Sequence, residues 1–445
     1  MKALIRKLTP KPIIRLYHFC LAIFAALIYR FPSRKMIVVG VTGTSGKSTT
    51  VKMIGKILEE NGSSVGWLSS LTLNVGKEEW ANPYHMTMLG RFKLQKYLSS
   101  MVKNDVRYAI VEATSEGIKQ FRHLGINFDI LVFTNLSKEH IEAHGSFENY
   151  RNEKLKIFEN LSHQKRKQLR WMDEAQEKTV IANIDDENAD RFLKYNANKK
   201  IGFSAGNIKF ATKDLEIVKI DSYETNENGS VFKLGSTDFE LKLLGKFNIY
   251  NALAAITTTS ALGVEYLTAK KALLKLDDVP GRMEKIETNK DFNVIIDLAH
   301  TPDSLEQAYK TIQKSYSLVP GLKNMVCVFG SAGGGRDKWK RPVMGKIATG
   351  YCDKIYLTNE DPYGENPKNI LGDIENGIKK EGKKKNKDYF LIEDRRLAIA
   401  SALKSANSGD LVMITGKGTE ATMVIGDKRV PWNEKEVVKQ EINKL

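Results

Sequence analysis

The chain has 445 residues, of which 42% are hydrophobic and 27% charged, a composition typical of soluble globular proteins with two or three domains. Its net charge of +16 would suit nucleic acid, but no helix-turn-helix, RRM or zinc-finger pattern accompanies the charge, so we expect a solvated basic surface and no nucleic-acid partner. The three cysteines form no CxxC motif, which argues against a disulfide framework and a zinc site and favours a reducing cytosol.

The N-terminal segment, residues 1–35, contains an apolar stretch with basic flanks. Residues 16–29 include no acid and no Lys or Arg. As a helix this stretch spans about 21 Å, less than the ~30 Å hydrocarbon core of a bilayer, and no signal-peptide cleavage site follows it. Two interpretations stay open: a membrane contact at the inner face through residues 13–31, lying in the interface or marginally spanning it, and a helix docked on the protein's own surface. Both keep the body of the protein in the cytoplasm.

Residues 36–61 carry the strongest local signal in the chain. A β-branched run at residues 36–41 predicts a buried strand, and apolar residues at helical spacing after residue 50 predict a helix. The turn between them reads Gly43, Thr44, Ser45, Gly46, Lys47, Ser48 and Thr49. Such a turn directs backbone N–H groups and the helix dipole at an anion, with Lys47 to neutralise phosphate and Ser48 to offer a hydroxyl to Mg²⁺. Val41 replaces the first glycine of the common P-loop, yet the pattern still predicts a nucleoside triphosphate site.

The remaining chain alternates strands and helices, which predicts an α/β protein. We expect a central P-loop ATPase domain at residues 36–280, with a parallel sheet plus a small antiparallel patch near residues 201–245. A C-terminal Rossmann-like α/β domain with five parallel strands follows at residues 281–445. The predicted strands lie at residues 65–70, 107–115, 130–136, 179–185, 293–299, 325–330, 354–358, 389–392 and 411–415, and the clearest helices at 90–101 and 248–262. LEIVKI, residues 215–220, is assigned to the antiparallel patch.

Polar groups follow several of these strands, at the edge where an open α/β sheet binds ligands. Glu112 is placed to complete a Mg²⁺ site beside Ser48, although a helix-capping or ion-paired glutamate fits the same pattern. His140, in the run EHIEAH, suits a second metal ligand or an ordinary turn histidine equally well. Lys154 is unremarkable by itself. Arg336, in the glycine turn GGGRD, would pair with a carboxylate.

Ten motifs in a fixed order make the chain similar to a known family. They are GTSGKST (43–49), VEATSEG (111–117), TNLSKEHIEAHG (134–145), EKLKIF (153–158), GKFNIYNALAA (245–255), GRMEKI (281–286), DLAHTPDSL (297–305), GGGRDKWKRPVMG (333–345), DRRLAI (394–399) and GKGTE (416–420). In this order they resemble the Mur ligase family over residues 36–440, and most closely the members that add the third amino acid to UDP-N-acetylmuramoyl-dipeptide in peptidoglycan synthesis.

The resemblance implies a role for individual residues. Lys47 would contact the ATP phosphates, Ser48 and Glu112 would hold a first Mg²⁺, and His140 would belong to the second. Lys154 matches a carbamylated lysine whose N-carboxylate bridges the metals. Four further residues match the ATP site: Asn251, Arg282, Asp297 and His300. The amino-acid pocket would include Arg336, Asp361, Pro362, Gly416 and Glu420, and the nucleotide-sugar contacts would be Thr87, Thr114 and Ser115.

The implied activity is an ATP-dependent acid–amino-acid ligase that forms an amide through an acyl phosphate, acting in the cytoplasm as a monomer. Two alternatives stay open: a ligase of the same type acting on another polymer or a lipid-linked cell-wall precursor, and a non-catalytic nucleotide-binding subunit.

This chain departs from the family in three places. Only 35 residues precede the core, where the family usually has a domain that grips the uridine nucleotide. The D-N-P-R motif that selects diaminopimelate reads Glu360, Asp361, Pro362 and Tyr363, which makes lysine or another amino acid an equal expectation. Thr419 and Leu89 replace a usual histidine and proline.

Overall fold

The computed structural model describes residues 10–84, 86–316 and 323–445. Two α/β units follow an N-terminal helix and are built on separate sheets. The strands are β1 (Ile37–Thr42), β2 (Val65–Leu68), β3 (Thr72–Asn74), β4 (Glu79–Ala81), β5 (Tyr108–Glu112), β6 (Ile130–Phe133), β7 (Thr179–Asn183), β8 (Lys199–Ser204), β9 (Glu216–Lys219), β10 (Ser222–Asn226), β11 (Gly229–Leu234), β12 (Thr237–Leu241), β13 (Glu284–Ile286), β14 (Asn293–Asp297), β15 (Met325–Phe329), β16 (Lys354–Leu357), β17 (Tyr389–Leu391), β18 (Leu411–Thr415), β19 (Thr422–Ile425) and β20 (Lys428–Pro431).

The helices alternate with these strands as the sequence predicts. They are α1 (Lys11–Ile28), α2 (Lys47–Glu60), α3 (Arg91–Lys103), α4 (Ser115–Lys119), α5 (Ile141–His144), α6 (Phe147–Ser162), α7 (Ala189–Leu193), α8 (Lys246–Ser260), α9 (Tyr266–Leu274), α10 (Pro302–Tyr316), α11 (Lys340–Tyr351), α12 (Pro367–Lys379), α13 (Arg395–Lys404) and α14 (Glu434–Ile442).

The first sheet has nine strands in the order β4-β3-β2-β5-β1-β6-β7-β8-β9, with only β3 and β4 antiparallel to their neighbours. Successive side chains of the central strand enter opposite cores, as strand geometry requires. Val39 and Val41 pack in one core with Trp67, while Met36 and Val38 pack in the other. Helices α2 and α8 cover the first core and α3 and α6 the second, so the phosphate turn emerges from a sheet buried on both faces.

One prediction about this sheet is wrong. LEIVKI forms β9, which pairs in parallel with β8 at the edge of the main sheet, whereas the antiparallel patch consists of β10, β11 and β12. β9 is largely exposed because it lies at the edge of the sheet, and its mixture of apolar and charged residues resembled a strand of a solvent-facing antiparallel sheet.

The second sheet has six strands in the order β13-β14-β18-β15-β16-β17. The five predicted parallel strands are present, and the short β13 adds an antiparallel edge. The fold class is therefore confirmed. The prediction that the cysteines form no disulfide is wrong: Cys327 on β15 and Cys352 after α11 are bonded within the core of this unit. Their separation of 25 residues in sequence hid a pairing that the strand–helix return brings about.

Helix α1 docks on the first unit, which is the second of the two interpretations of the apolar N-terminus. Ala22, Ala25 and Ala26 are buried, and Arg91 of α3 donates a hydrogen bond from Nε to the His18 carbonyl at 3.1 Å. No helix in residues 10–84, 86–316 and 323–445 has the length and apolarity needed to cross a membrane.

Candidate active site

The glycine turn between β1 and α2 is held from one side by the residues that follow β6. Asn135 accepts a hydrogen bond from the Ser45 N–H at 2.9 Å and donates to its carbonyl at 3.0 Å, and Thr134 also donates to that carbonyl at 2.8 Å. Gly46 adopts φ of 81° against Asn251, leaving no room for a side chain. The turn is thus fixed with the N-terminus of α2 facing the cleft between the two sheets, the arrangement that binds phosphate.

Ser48 and Glu112 meet at the carboxyl ends of β1 and β5. The Ser48 hydroxyl donates to Glu112 Oε2 at 2.9 Å, and the Ser70 N–H donates to the same oxygen at 2.8 Å. The Ser48 and Ser70 hydroxyls are 2.7 Å apart. Three oxygen-bearing side chains therefore converge beside Lys47, whose ammonium donates to the Thr44 carbonyl at 2.7 Å.

Lys154 reaches the same turn from α6. Its side chain is 2% exposed, and Nζ donates to the Gly43 carbonyl at 2.7 Å. Burial, reinforced by the charge of Lys47, holds the pKa of Lys154 well below its ordinary value. A depressed pKa raises the fraction of the neutral amine, which is the nucleophilic form required for carbamylation.

His140 lies at the boundary between the two units, beside Glu139. It has φ of 56°, a conformation rare for residues other than glycine, at the start of α5. Its Nε2 lies 3.5 Å from Glu139, and Nε2 of His300 in the second unit lies 3.7 Å from the same carboxylate oxygen. Burial lowers the pKa of His140 to about 4, so the metal-binding neutral imidazole prevails at pH 7.

A cavity of about 270 Å³ opens beside the glycine turn, between α8 and the second unit. Its wall includes Ser45, Gly46 and Thr49 with three of the four residues expected at the nucleotide: Asn251, Arg282 and Asp297. Burial raises the pKa of Asp297, whose two oxygens accept from the Met283 and Ala299 N–H groups at 2.8 and 2.7 Å. The fourth residue, His300, lines a different pocket, on the Glu139 side.

That second pocket encloses about 60 Å³ between the two units. It is lined by Glu139, His140, His300, Ala332, Arg336, Asp337, Lys340, Glu360, Asp361, Tyr363, Gly416 and Glu420. The wall thus contains every residue expected at the amino acid except Pro362, whose carbonyl packs against Gly333. Arg336 enters from the glycine turn after β15.

Asp361 and Glu360, two carboxylates of this pocket, differ in their hydrogen-bond partners. Asp361 accepts from Lys417 Nζ at 3.0 Å and from the Val424 N–H at 2.8 Å. Glu360 is 5% exposed, and its Oε2 has no hydrogen-bond partner among the described residues. A buried, unpaired carboxylate oxygen costs free energy unless a ligand supplies a donor.

The three residues expected at the nucleotide-sugar lie along the other side of the phosphate turn. Thr114 caps α4 by accepting from the Gly117 N–H at 3.1 Å, and Ser115 is buried in the first turn of that helix. Thr87 is half-buried in the loop that leads to α3. Asn82 ties this loop to the Ser69 carbonyl at 2.7 Å, which brings it close to the Glu112 cluster.

Comparison with known proteins agrees with this geometry. The family model for the Mur ligase middle domain matches residues 41–259, and that for the Mur ligase glutamate ligase domain matches residues 281–418. The chain belongs to the Mur ligase family. The resemblance inferred from the ten motifs is confirmed, and with it the assignment as an ATP-dependent acid–amino-acid ligase.

Individual Mur ligases resemble the chain over most of its length. It is 36% identical over 94% of its residues to the UDP-N-acetylmuramoyl-L-alanyl-D-glutamate–2,6-diaminopimelate ligase of Caldanaerobacter subterraneus subsp. tengcongensis, covering 81% of that protein. It is 35% identical over 93% of its residues to the UDP-N-acetylmuramyl-tripeptide synthetase of Roseiflexus sp., covering 80% of it. A solved diaminopimelate ligase of the same name superposes with a TM-score of 0.58 at 29% identity, over 92% of this chain and 78% of that one.

The donor set of this Mur ligase fits Mg²⁺ bound together with phosphate. The described residues contain no cluster of three or more His, Cys, Asp or Glu side chains that could enclose a metal ion. Ser48 and Glu112 offer oxygen ligands within 2.9 Å of each other, at the turn that faces the phosphates. Mg²⁺ commonly takes one or two protein oxygens and completes its shell with phosphate and water, so an incomplete protein cage suits it.

Several residues of the cleft were missed from sequence. The Tyr150 hydroxyl is 3.0 Å from the Thr44 hydroxyl, and its ring lies against His140 and Lys154. Asp337 of the second unit accepts from the Ile141 and Glu142 N–H groups at 3.2 and 2.8 Å. Tyr150 could have been predicted from sequence, because it precedes Lys154 by one helical turn. Asp337 could not, because its contact with Glu142 joins residues 195 positions apart.

Proposed function

We propose that this Mur ligase uses ATP to activate the terminal carboxylate of UDP-N-acetylmuramoyl-dipeptide and joins an amino acid to it as the third residue. The γ-phosphoryl group is transferred to the carboxylate, giving an acyl phosphate and ADP. The amine of the incoming amino acid then attacks the acyl carbon, and phosphate leaves as the amide forms. Activation is needed because a carboxylate is a poor electrophile.

One observation carries the proposal. The phosphate turn with Lys47, the Ser48–Glu112 pair and Lys154 faces the pocket that contains Arg336, with Glu139 joining the two sides. An amine held beside Arg336 is thereby within the same cleft as an acyl group activated at Lys47. Closure of the second unit over the first would exclude water, which would otherwise hydrolyse the acyl phosphate.

Residues of the first unit stabilise negative charge during transfer. Lys47 pairs with the phosphates, and the N–H groups of the turn donate to their oxygens. The neutral amine of Lys154 takes up CO₂ and releases a proton, and the resulting N-carboxylate provides an anion next to His140. Ser48, Glu112, His140 and the carbamylated Lys154 would hold two Mg²⁺ ions, which supply Lewis-acid polarisation of the transferred phosphoryl group.

The pocket chemistry supports an amino acid with a second amine. The free oxygen of Glu360 needs a donor, and Glu420 lines the same wall. An ammonium at the end of the incoming side chain satisfies this requirement. Tyr363 stands where an arginine would bind a distal carboxylate, so we propose that lysine competes with diaminopimelate, the amino acid in the name of the Caldanaerobacter relative.

The acceptor has a second candidate. The exposed apolar face of α1 lies on the unit that carries Thr87 and Thr114, which makes a lipid-linked muropeptide precursor a second candidate beside the nucleotide-linked one. The activation chemistry is the same for both, because each presents the same terminal carboxylate.

The test is a reconstituted reaction with the full chain, ATP and Mg²⁺. Nucleotide-linked and lipid-linked muramoyl-dipeptide are each offered with diaminopimelate, lysine or ornithine, and phosphate release is measured with the mass of the product. We expect stoichiometric phosphate and an amide product with one acceptor and at least one diamino acid. ATP binding without product from any combination would refute the ligase function.

A further inference from the structure

We propose that α1 and the start of α3 form a docking surface for an anionic lipid bilayer, on which the protein lies without crossing it. This basic–apolar face consists of the exposed apolar side chains of α1 and Phe92, together with exposed basic residues around them: Arg15, Arg30, Arg34, Lys35, Lys93 and Lys96. Lipid binding by this face is independent of the ligase reaction.

Helix α1 has two apolar faces, and the protein body covers only one. The inner face packs through its alanines on α3 and on the loop at Gly125, where an added Cβ would collide with Ala26. The outer face carries seven of the 19 large apolar side chains that are exposed among the described residues: Ile13, Leu16, Tyr17, Phe19, Phe24, Leu27 and Ile28. Most of them recur at three- or four-residue spacing along the helix, so they form a continuous ridge. Leu16 is 62% exposed and Leu27 56%.

The ridge extends beyond α1 onto α3. Phe24 stacks edge-to-face on Phe92, with ring centroids 6.3 Å apart, and Phe92 is itself 39% exposed. An isolated exposed apolar side chain is ordinary on a protein surface, whereas a contiguous ridge marks an interaction site.

Charge identifies the occupant. The segments 10–35 and 91–103 together contain nine Lys and Arg residues and no Asp or Glu. Arg15, Arg30, Arg34, Lys93 and Lys96 are exposed. An amphipathic helix with apolar residues on one side and basic residues at its margins is the pattern that binds an anionic bilayer interface.

Other occupants fit less well. A second copy of the chain would bring two basic faces together, and like charges repel. A peptide-binding groove is concave, whereas this surface is the convex side of a helix. A bilayer accepts a convex apolar ridge and supplies negative charge around it.

The position of this face gives it a consequence for the proposed ligase. Arg91 joins α1, through the His18 carbonyl, to the Gln120 carbonyl immediately after α4. Thr114 caps the start of α4, and α3 follows the loop of Thr87. A bilayer bound to the basic–apolar face would therefore lie next to the edge where the acceptor is expected, a consequence that rests on the proposed function.

Vesicle sedimentation with the purified full chain tests the proposal. We expect binding to vesicles of phosphatidylcholine with phosphatidylglycerol at least tenfold stronger than to phosphatidylcholine alone, and weaker binding at high salt. Equal binding to both vesicles, or none, would overturn it. So would binding confined to native membranes and lost after protease treatment, which would indicate a protein partner, or a dimer in solution that depends on Leu16.

Matched variants separate the face from general surface effects. Leu16→Glu with Leu27→Glu should reduce vesicle binding tenfold or more, whereas Leu267→Glu with Leu397→Glu, equally exposed on other helices, should not. Arg34→Gln with Lys35→Gln should weaken binding by about fivefold per residue, and Lys384→Gln with Lys387→Gln, an equal loss of charge elsewhere, should change it less than twofold. All four variants should retain solution ligase activity and thermal stability. Equal losses in test and control variants would contradict the proposal.

Discussion

Two buried lysines lie at opposite ends of the strands of the nine-stranded sheet and differ in the number of their hydrogen-bond partners. Lys167, at the amino edge, donates to the carbonyls of Ser33, Met36 and Asn127 at 2.7–2.9 Å and forms an ion pair with Asp129. Lys154, at the carboxyl edge, donates to the single carbonyl of Gly43.

The pKa values follow this difference. Burial lowers the pKa of Lys167 only to about 8, because Asp129 stabilises its charge. Burial and the like charge of Lys47 hold the pKa of Lys154 well below its ordinary value. The structure thus surrounds Lys167 with acceptors, as a fold-stabilising group requires, and gives Lys154 the single carbonyl of Gly43, which suits the carbamylation proposed for it. A buried cation is a candidate for chemistry when its partners are missing on the side where a ligand binds.

The largest expected effect concerns Lys154. Lys154→Ala should lower turnover on the order of a thousandfold, since a charge-stabilising group at the transferred phosphoryl is lost. ATP binding should persist because the phosphate turn is held by Asn135. Turnover is measured as phosphate release, and short carboxylic acids added to the variant should restore part of it. Full activity of the variant would remove Lys154 from the mechanism.

Lys167 should show the opposite pattern. Lys167→Met should lower the free energy of unfolding by about 3 kcal/mol, because Asp129 loses one of its two buried lysine partners. Its turnover per folded molecule should match that of the wild type. Denaturant unfolding measures the first effect and parallel kinetics the second. A fall in turnover with an unchanged free energy of unfolding would contradict a purely fold-stabilising role for Lys167.

His123 is also buried, and its Nδ1 has no hydrogen-bond partner among the described residues, but it lies outside the cleft. Burial lowers its pKa to about 4 from an ordinary value of 6.5. Between these two pH values the unfolded chain binds a proton on His123 that the folded protein does not bind. The contribution of His123 to the free energy of unfolding is therefore complete above pH 6.5 and falls as the pH decreases toward 4.

The His123 contribution between pH 6.5 and 5 should amount to about 2 kcal/mol. In His123→Gln that part of the pH dependence should disappear, while turnover at pH 7.5 stays unchanged. Unfolding free energies of both proteins at several pH values provide the measurement. Parallel curves would show that His123 does not titrate as described.

The smallest effect concerns the second unit. Glu360→Gln should raise KM for the diamino acid about tenfold, because the ammonium loses a charged partner. The KM for ATP should not change. Glu393→Gln, at an exposed position near the same sheet edge, serves as the control. An unchanged KM in Glu360→Gln would place the distal amine elsewhere.

The sequence predicted the phosphate edge well because its signals are local. Gly43 to Thr49 follow a β-branched strand and precede an amphipathic helix, and the two α/β units follow from strand–helix alternation. No local pattern distinguished Lys154 from other lysines, because its place in the site depends on a contact with Gly43 in a distant segment. Only the ordered motifs indicated its role.

Other features depended on packing that no local pattern records. LEIVKI joined the main sheet because β8 left an open parallel edge, and Cys327 met Cys352 because a helix returns the chain to its starting strand. The docking of α1 relies on the absence of a side chain at Gly125, which lies against Ala26 although the two are far apart in the sequence.

The contact of Asp337 links the assembly of the cleft to the relative position of the two units. Its carboxylate accepts hydrogen bonds from the first two N–H groups of α5, directly after His140, which have no partner within the helix. When the second unit moves away, that short helix loses its cap and His140 loses the support for its unusual backbone conformation. We therefore expect that a ligand drawing the units together would also fix His140, so that ATP cleavage would depend on the presence of both partners of the bond to be made.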